Sequence, residues 1–249
     1  MSLHAIHQAI WYLSPILQTI LLSGLISRKL YREYPFFCLY TLSHIVRSLL
    51  AYQIRQHSNS TYLYFYWITE TYLAALCLAV VQEVYRASFA NLPKLRPFFV
   101  SVFQSATAVL IIACLVSGYL SPGTSQTRVI AALVVLQRSL DLLVGGLSFA
   151  LLAALRVIGL SWQTRSAGIA LGFAVNSAIA FAADSAHSLG AGPLAHGIYA
   201  VSLAAAYALA LIIWNVAILR AIPEAHTPVS AGEVETVGRW KSWLEGVSL

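Results

Sequence analysis

Seven blocks of apolar residues constrain this chain more than any other feature, because each is about long enough to cross a lipid bilayer. A crossing helix needs about 20 residues to span about 30 Å of hydrocarbon. The blocks fall at about 8–27, 36–54, 62–85, 98–119, 129–155, 166–187 and 195–219. They predict an all-α polytopic membrane protein. Residues 1–222 form a bundle of seven transmembrane helices, and residues 223–249 form a cytoplasmic tail. The composition agrees: the chain is 59% hydrophobic and 10% charged, whereas a soluble domain is roughly 25% charged. Pro35, Pro93, Pro97, Pro122, Pro193, Pro223 and Pro228 lie at or outside span ends, where a missing N–H is harmless. Pro15 is the exception and predicts a kink in the first helix.

Basic residues set the expected orientation. Arg28, Lys29, Arg32, Arg86, Lys94, Arg96, Arg156, Arg165, Arg220, Arg239 and Lys241 fall on one side of the spans, eleven in all. Arg55 and Arg128 fall on the other, and Arg47 and Arg138 lie inside spans. The positive-inside rule then places the N-terminus outside and the C-terminus in the cytoplasm. The net charge of +6 is accounted for by this topology, so nucleic acid is not an expected partner. Cys38, Cys77 and Cys114 all fall within spans and lack metal-ligand spacing, which argues against a disulfide or a zinc cluster. The first apolar block has no basic n-region or small-residue cleavage site, so no separate signal peptide is expected.

Several local patterns add detail. The aromatic cluster "YLYFYW" opens the third span and suits the outer interface. Gly168 and Gly172 make a GxxxG pair on the sixth span, read as ordinary close helix packing. Gly145 and Gly146 are positions where the fifth helix could loosen. In the tail, Val237, Trp240, Trp243, Leu244 and Val247 share one face of a short interfacial helix. The alternative there is a frayed terminus.

The chemistry lies in the charges within the spans: Arg47, Glu70, Arg138, Asp141 and Asp184, accompanied by His44 and His187, with His196 at the start of the seventh span. Each central charge costs roughly 2.5–3.5 kcal/mol in lipid, so five would cost on the order of 12–17 kcal/mol. They are therefore expected inside the bundle, facing partners. Helical spacing gives each span one polar stripe. Thr41, His44 and Ser48 share one; Arg138, Asp141, Gly145 and Ser148 another. Asn176, Ala180, Asp184 and His187 form a third, and His196, Tyr199, Leu203, Tyr207 and Trp214 a fourth. Their depths place these groups in the middle and outer half of the bundle. Arg138 and Asp141, three residues apart, are expected to pair. Gln82 and Glu83 read as boundary residues at the inner end of the third span.

Two readings of the network stand side by side. It fixes helix register, or it forms a ligand site, the usual meaning of intramembrane ionisable groups. On the second reading Arg47 and Arg138 bind a small polar or anionic ligand, and Glu70, Asp141 and Asp184 balance them. Tyr66, Trp67, Tyr199 and Tyr207 supply walls with polar tips, and His44, His187 and His196 complete the site. No catalytic residue, metal or cofactor is expected. HxxxH and HExxH spacings are absent.

The runs "LQRSLDLL", "IGLSWQTRSAGIALGF", "YFYWITE" and "LPKLRPF" resemble an uncharacterised family of bacterial seven-helix integral membrane proteins over most of the chain. The resemblance implies the seven-helix architecture and carries no activity with it. Better-known seven-helix proteins differ at specific positions. Lys29, Lys94 and Lys241 all lie outside spans, so no lysine can hold retinal in the seventh. That span also lacks NPxxY, and proline–glutamine repeats of sugar exporters are missing. The expected role is receptor- or sensor-like, with signalling through a separate partner. The alternatives are a small-solute or proton-coupled transporter, an intramembrane enzyme and a structural subunit of a membrane complex.

Overall fold

The computed structural model describes residues 3–57, 59–89, 125–158, 164–189 and 193–220, together with single positions between 101 and 116. Six long α-helices account for most of the described chain: α1 Leu3–Ser27, α2 Pro35–His57, α3 Asn59–Ser88, α4 Ser125–Ile158, α5 Arg165–Leu189 and α6 Pro193–Arg220; the single positions described between 101 and 116 are also helical. A short 3-10 turn, Leu30–Arg32, joins α1 to α2, and no strand occurs among the described residues. These helices match the expected first, second, third, fifth, sixth and seventh spans and overrun each by a few residues. The expected span at 98–119 and the tail at 223–249 lie outside the described residues.

Four helical stretches are long and apolar enough to cross a membrane: Phe65–Ser88, Ser139–Val157, Arg165–Ala186 and Gly197–Arg220. Tyr12–Ser27 and Pro35–Ala51 are shorter apolar helices. In α2 the apolar run is interrupted by His44, Arg47 and Ser48. The outer faces are greasy, with Ile68 and Phe149 each 69% exposed. Helices apolar on their outer as well as their inner faces suit a lipid surround. Several hydroxyls within the spans are satisfied on their own helix. Thr19 donates to the Pro15 carbonyl (2.8 Å), Thr41 to Phe37 (2.9 Å) and Ser48 to His44 (2.9 Å). Such bonds leave no polar hydrogen facing hydrocarbon. Pro15 sits within an α1 that remains helical on both sides.

The helices close into a ring. α1 packs on α2 and α6, α5 on α6 and α4, and α3 on α2, α4 and α5. Small residues let α5 approach α6 closely. A Cβ added at Gly168 would fall on Ala217, and one at Gly172 would fall on the Trp214 indole. The GxxxG pair thus serves packing within the chain. Gly145 of α4 likewise faces Ser177 of α5, whose Cβ would lie 2.8 Å from an added Cβ. No break appears there: α4 runs unbroken through Gly145 and Gly146.

The solid part of the core lies toward the end that carries the 27–35 turn. Leu25, Phe37, Val80, Leu151, Ile169 and Ile218 are fully buried there. At this end Glu83 of α3 accepts the backbone N–H groups of Phe36 (2.9 Å) and Phe37 (3.0 Å) in the first turn of α2. Pro35 opens that helix, a position suited to a residue without an N–H. The free N–H groups and the positive end of the helix dipole both favour a carboxylate. Glu83 is therefore a cap supplied by a neighbouring helix, not merely a boundary residue. Glu83→Ala is expected to lower stability by about 2–4 kcal/mol, since one buried and one partly buried donor lose their acceptor at about 1–3 kcal/mol each. Glu83→Gln, which keeps one carbonyl oxygen, should fall between. Thermal unfolding in detergent would check this; equal melting temperatures for Ala and wild type would exclude the cap.

Candidate functional site

Above this core the helices diverge around a cavity of about 290 Å³. Five of the six helices line it. α2 contributes Tyr40, His44 and Arg47; α3 contributes Tyr66, Glu70 and Cys77; α4 contributes Gln137 and Asp141. Asn176, Ser177 and Asp184 come from α5, and Tyr199, Leu203 and Tyr207 from α6. The cavity runs from the middle of the bundle toward the end at which α2 and α5 finish and α3 and α6 begin. The later residues of α2 and α5 thus meet the earlier residues of α3, α4 and α6.

The arrangement follows from helical periodicity. Asn176, Ala180 and Asp184 are spaced by four along α5, and all three line the cavity. Tyr199, Leu203 and Tyr207 do the same on α6. A step of four residues returns to nearly the same face of a helix.

Arg47 and Glu70 form an ion pair across α2 and α3, with side chains 20% and 21% exposed. The Arg47 guanidinium also lies over the Tyr66 ring, 5.2 Å from its centre, a favourable cation–π position. Arg47 thus has an acidic partner within the protein. Asp141 stands on α4 within electrostatic reach of Asp184 and Glu70. Among the described residues no side chain pairs with or donates to the Asp141 carboxylate.

The floor is aromatic. His44 stacks on Tyr207 (5.1 Å between centres, 26° between planes) and meets Tyr40 edge-on at 4.6 Å. Trp214 packs against Phe37, Tyr40, Phe173 and Tyr207 at 4.9–6.3 Å. Its indole N–H donates to the Ile169 carbonyl at 3.0 Å. Gln18 of α1 holds the Tyr207 hydroxyl from behind at 2.9 Å.

Of the residues expected at the site, His44, Arg47, Glu70, Asp141, Asp184, Tyr66, Tyr199 and Tyr207 line this one cavity. Trp67 does not. Adjacent helical residues point about 100° apart, so with Tyr66 facing inward Trp67 is turned aside. The side chains of Arg138, His187 and His196 lie outside the described residues, and the expected Arg138–Asp141 pair with them. Sequence reasoning missed Tyr40, Cys77, Gln137 and Ser177. Two had a signal: Tyr40 is one turn before His44, and Gln137 one turn before Asp141. Among the described residues no three metal-binding side chains gather closely enough to hold a metal ion.

Comparison of the chain with protein-family profiles, curated proteins and solved structures finds no match. The chemistry of the cavity is therefore read from its own residues.

Proposed function

We propose that the protein is a seven-span membrane protein of the bacterial inner membrane, N-terminus out and C-terminus in, that binds a small polar ligand in an outward-facing cavity. Its role is receptor- or sensor-like, with the signal passed to a separate partner. The observation that carries this reading is the convergence of charged and aromatic side chains from five helices on one unfilled volume. Mutual pairing that served helix register alone would leave no such space. At about 290 Å³ the cavity sits near the lower end of small-molecule sites, roughly 300–1,000 Å³. The aromatic floor favours binding over passage, because Trp214 and Phe37 fill the route toward the opposite end, 1% and 0% exposed.

Cys77 reports on the cavity from its wall. In a chain carrying Cys38→Ser and Cys114→Ser, membrane-impermeant methanethiosulfonates added outside intact cells should modify Cys77. The same reagents presented to the cytoplasmic face of inside-out vesicles should leave it unmodified. Modification from both faces would overturn the receptor-like reading in favour of a transporter. Modification from neither, with Cys77 reacting only after denaturation, would overturn the cavity as a binding site.

A further inference from the structure

We propose that the cavity takes a small organic cation, an ammonium-bearing ligand with Asp141 as its main counter-ion. This rests on the cavity being a ligand site and names the chemistry of its occupant. The first ground is charge. Apart from Glu83, which caps α2 at the opposite end, the spans hold three carboxylates, Glu70, Asp141 and Asp184, against two guanidinium groups, Arg47 and Arg138. With histidine neutral, one acid is left over even if Arg138 faces the same space. An interior of low polarity does not hold a surplus charge without a partner. The second ground is that Arg47 is already bound to Glu70. The described cation that an anionic ligand would need is thus occupied, while Asp141 faces the cavity unpaired among the described residues.

The third ground is the wall. Tyr40, Tyr66, Phe173, Tyr199 and Tyr207 surround the space, and aromatic faces attract cations. Tyr66 already takes a guanidinium on its face, so the wall performs this interaction within the protein. The fourth ground is size. The absence of a metal-holding cluster among the described residues leaves the acids too dispersed to share one small ion. A volume of about 290 Å³ equals on the order of ten water-sized groups, which fits an amine carrying a compact apolar body.

The test uses the full chain in lipid nanodiscs with Cys38→Ser and Cys114→Ser, and follows modification of Cys77 by the neutral reagent methyl methanethiosulfonate. The probes are 2-phenylethylamine, its trimethylammonium analogue, 2-phenylethanol and 3-phenylpropionate. The two ammonium probes should slow modification at least tenfold at saturation, and 3-phenylpropionate should not. Asp141→Asn should raise the concentration of amine needed for half-protection at least tenfold, each variant's protection being read against its own unprotected rate. Asp184→Asn provides a second variant if Asp141→Asn does not fold. Protection by 3-phenylpropionate or 2-phenylethanol equal to that by the amines would overturn the cation proposal and leave the ligand site standing. So would amine protection that neither Asn variant weakens. Modification that no probe slows would also overturn it, pointing to a proton as the balancing charge. Failure of the reagent to reach Cys77 at all would remove the binding cavity itself, and the cation proposal with it.

Discussion

Replacing Arg47 with leucine lowers the stability of the folded protein by about 3 kcal/mol, while replacing Arg47 and Glu70 together costs less than the single change. The single substitution leaves the Glu70 carboxylate inside the bundle without its guanidinium, and a stranded interior charge typically costs 3–5 kcal/mol. The low end applies because both side chains keep about a fifth of their surface exposed, so some water reaches them. The Tyr66 ring also loses the cation over its face. The double substitution removes both charges and strands none. Equilibrium unfolding of the two single variants and the double variant closes a cycle. Strictly additive losses would show that the pair is not coupled.

The second large effect concerns α5. Gly172→Val is expected to cost about 3 kcal/mol or more, because a side chain at 172 falls on the Trp214 indole. Trp214 is 1% exposed and held among four aromatic rings, so it has nowhere to swing. Overpacking of this kind costs about 1–3 kcal/mol. Separating the helices also breaks the Trp214–Ile169 hydrogen bond, and an orphaned buried donor costs about 1–3 kcal/mol more. Gly146→Ala is the matched control. Nothing lies within 4 Å of a Cβ there, so the better helix propensity of alanine should stabilise by up to about 1 kcal/mol. Melting temperatures that fall for both variants, or for neither, would contradict this account of the α5–α6 contact.

The sequence made some of this legible for a physical reason. A charge inside an apolar run is conspicuous, and its cost in lipid forces it inward, so Arg47, Glu70, Asp141 and Asp184 were recognisable before any fold was known. The four-residue stripes on α5 and α6 were equally readable, since each depends on one helix alone. Pairings between helices were not. The spacing makes Arg47 a binder of an anionic or polar group with Glu70 as its balance, but that these two side chains bind each other directly depends on how α2 and α3 rotate. Glu83 looked like a boundary residue because its acceptor role depends on the start of α2, more than forty positions away. Cys77 and Ser177 are ordinary residues for a span, and only helix rotation turns them toward the cavity. Trp67 is the opposite case. Tyr66 and Trp67 stand four and three residues before Glu70, so both share a face with it by spacing, and only the rotation of α3 decides that Tyr66 lines the cavity and Trp67 does not.

The contacts between α1 and α6 bear on the order in which this protein is assembled. Gln18 holds Tyr207, Asn215 donates to the Leu17 carbonyl at 3.1 Å, and Arg28 donates to the carbonyls of Ile218 and Leu219 at 3.0 and 2.8 Å. These partners are about 190 positions apart along the chain. Synthesis delivers α1 to the membrane first, and its polar groups must wait until α6 follows. Gln18, 2% exposed in the finished bundle, spends that interval beside lipid or an insertion chaperone. Closing the ring is thus a late, long-range event. Translation halted before α6 would leave an incomplete barrel of helices with an open seam, a form that membrane quality control can recognise by the unsatisfied amide on its first helix.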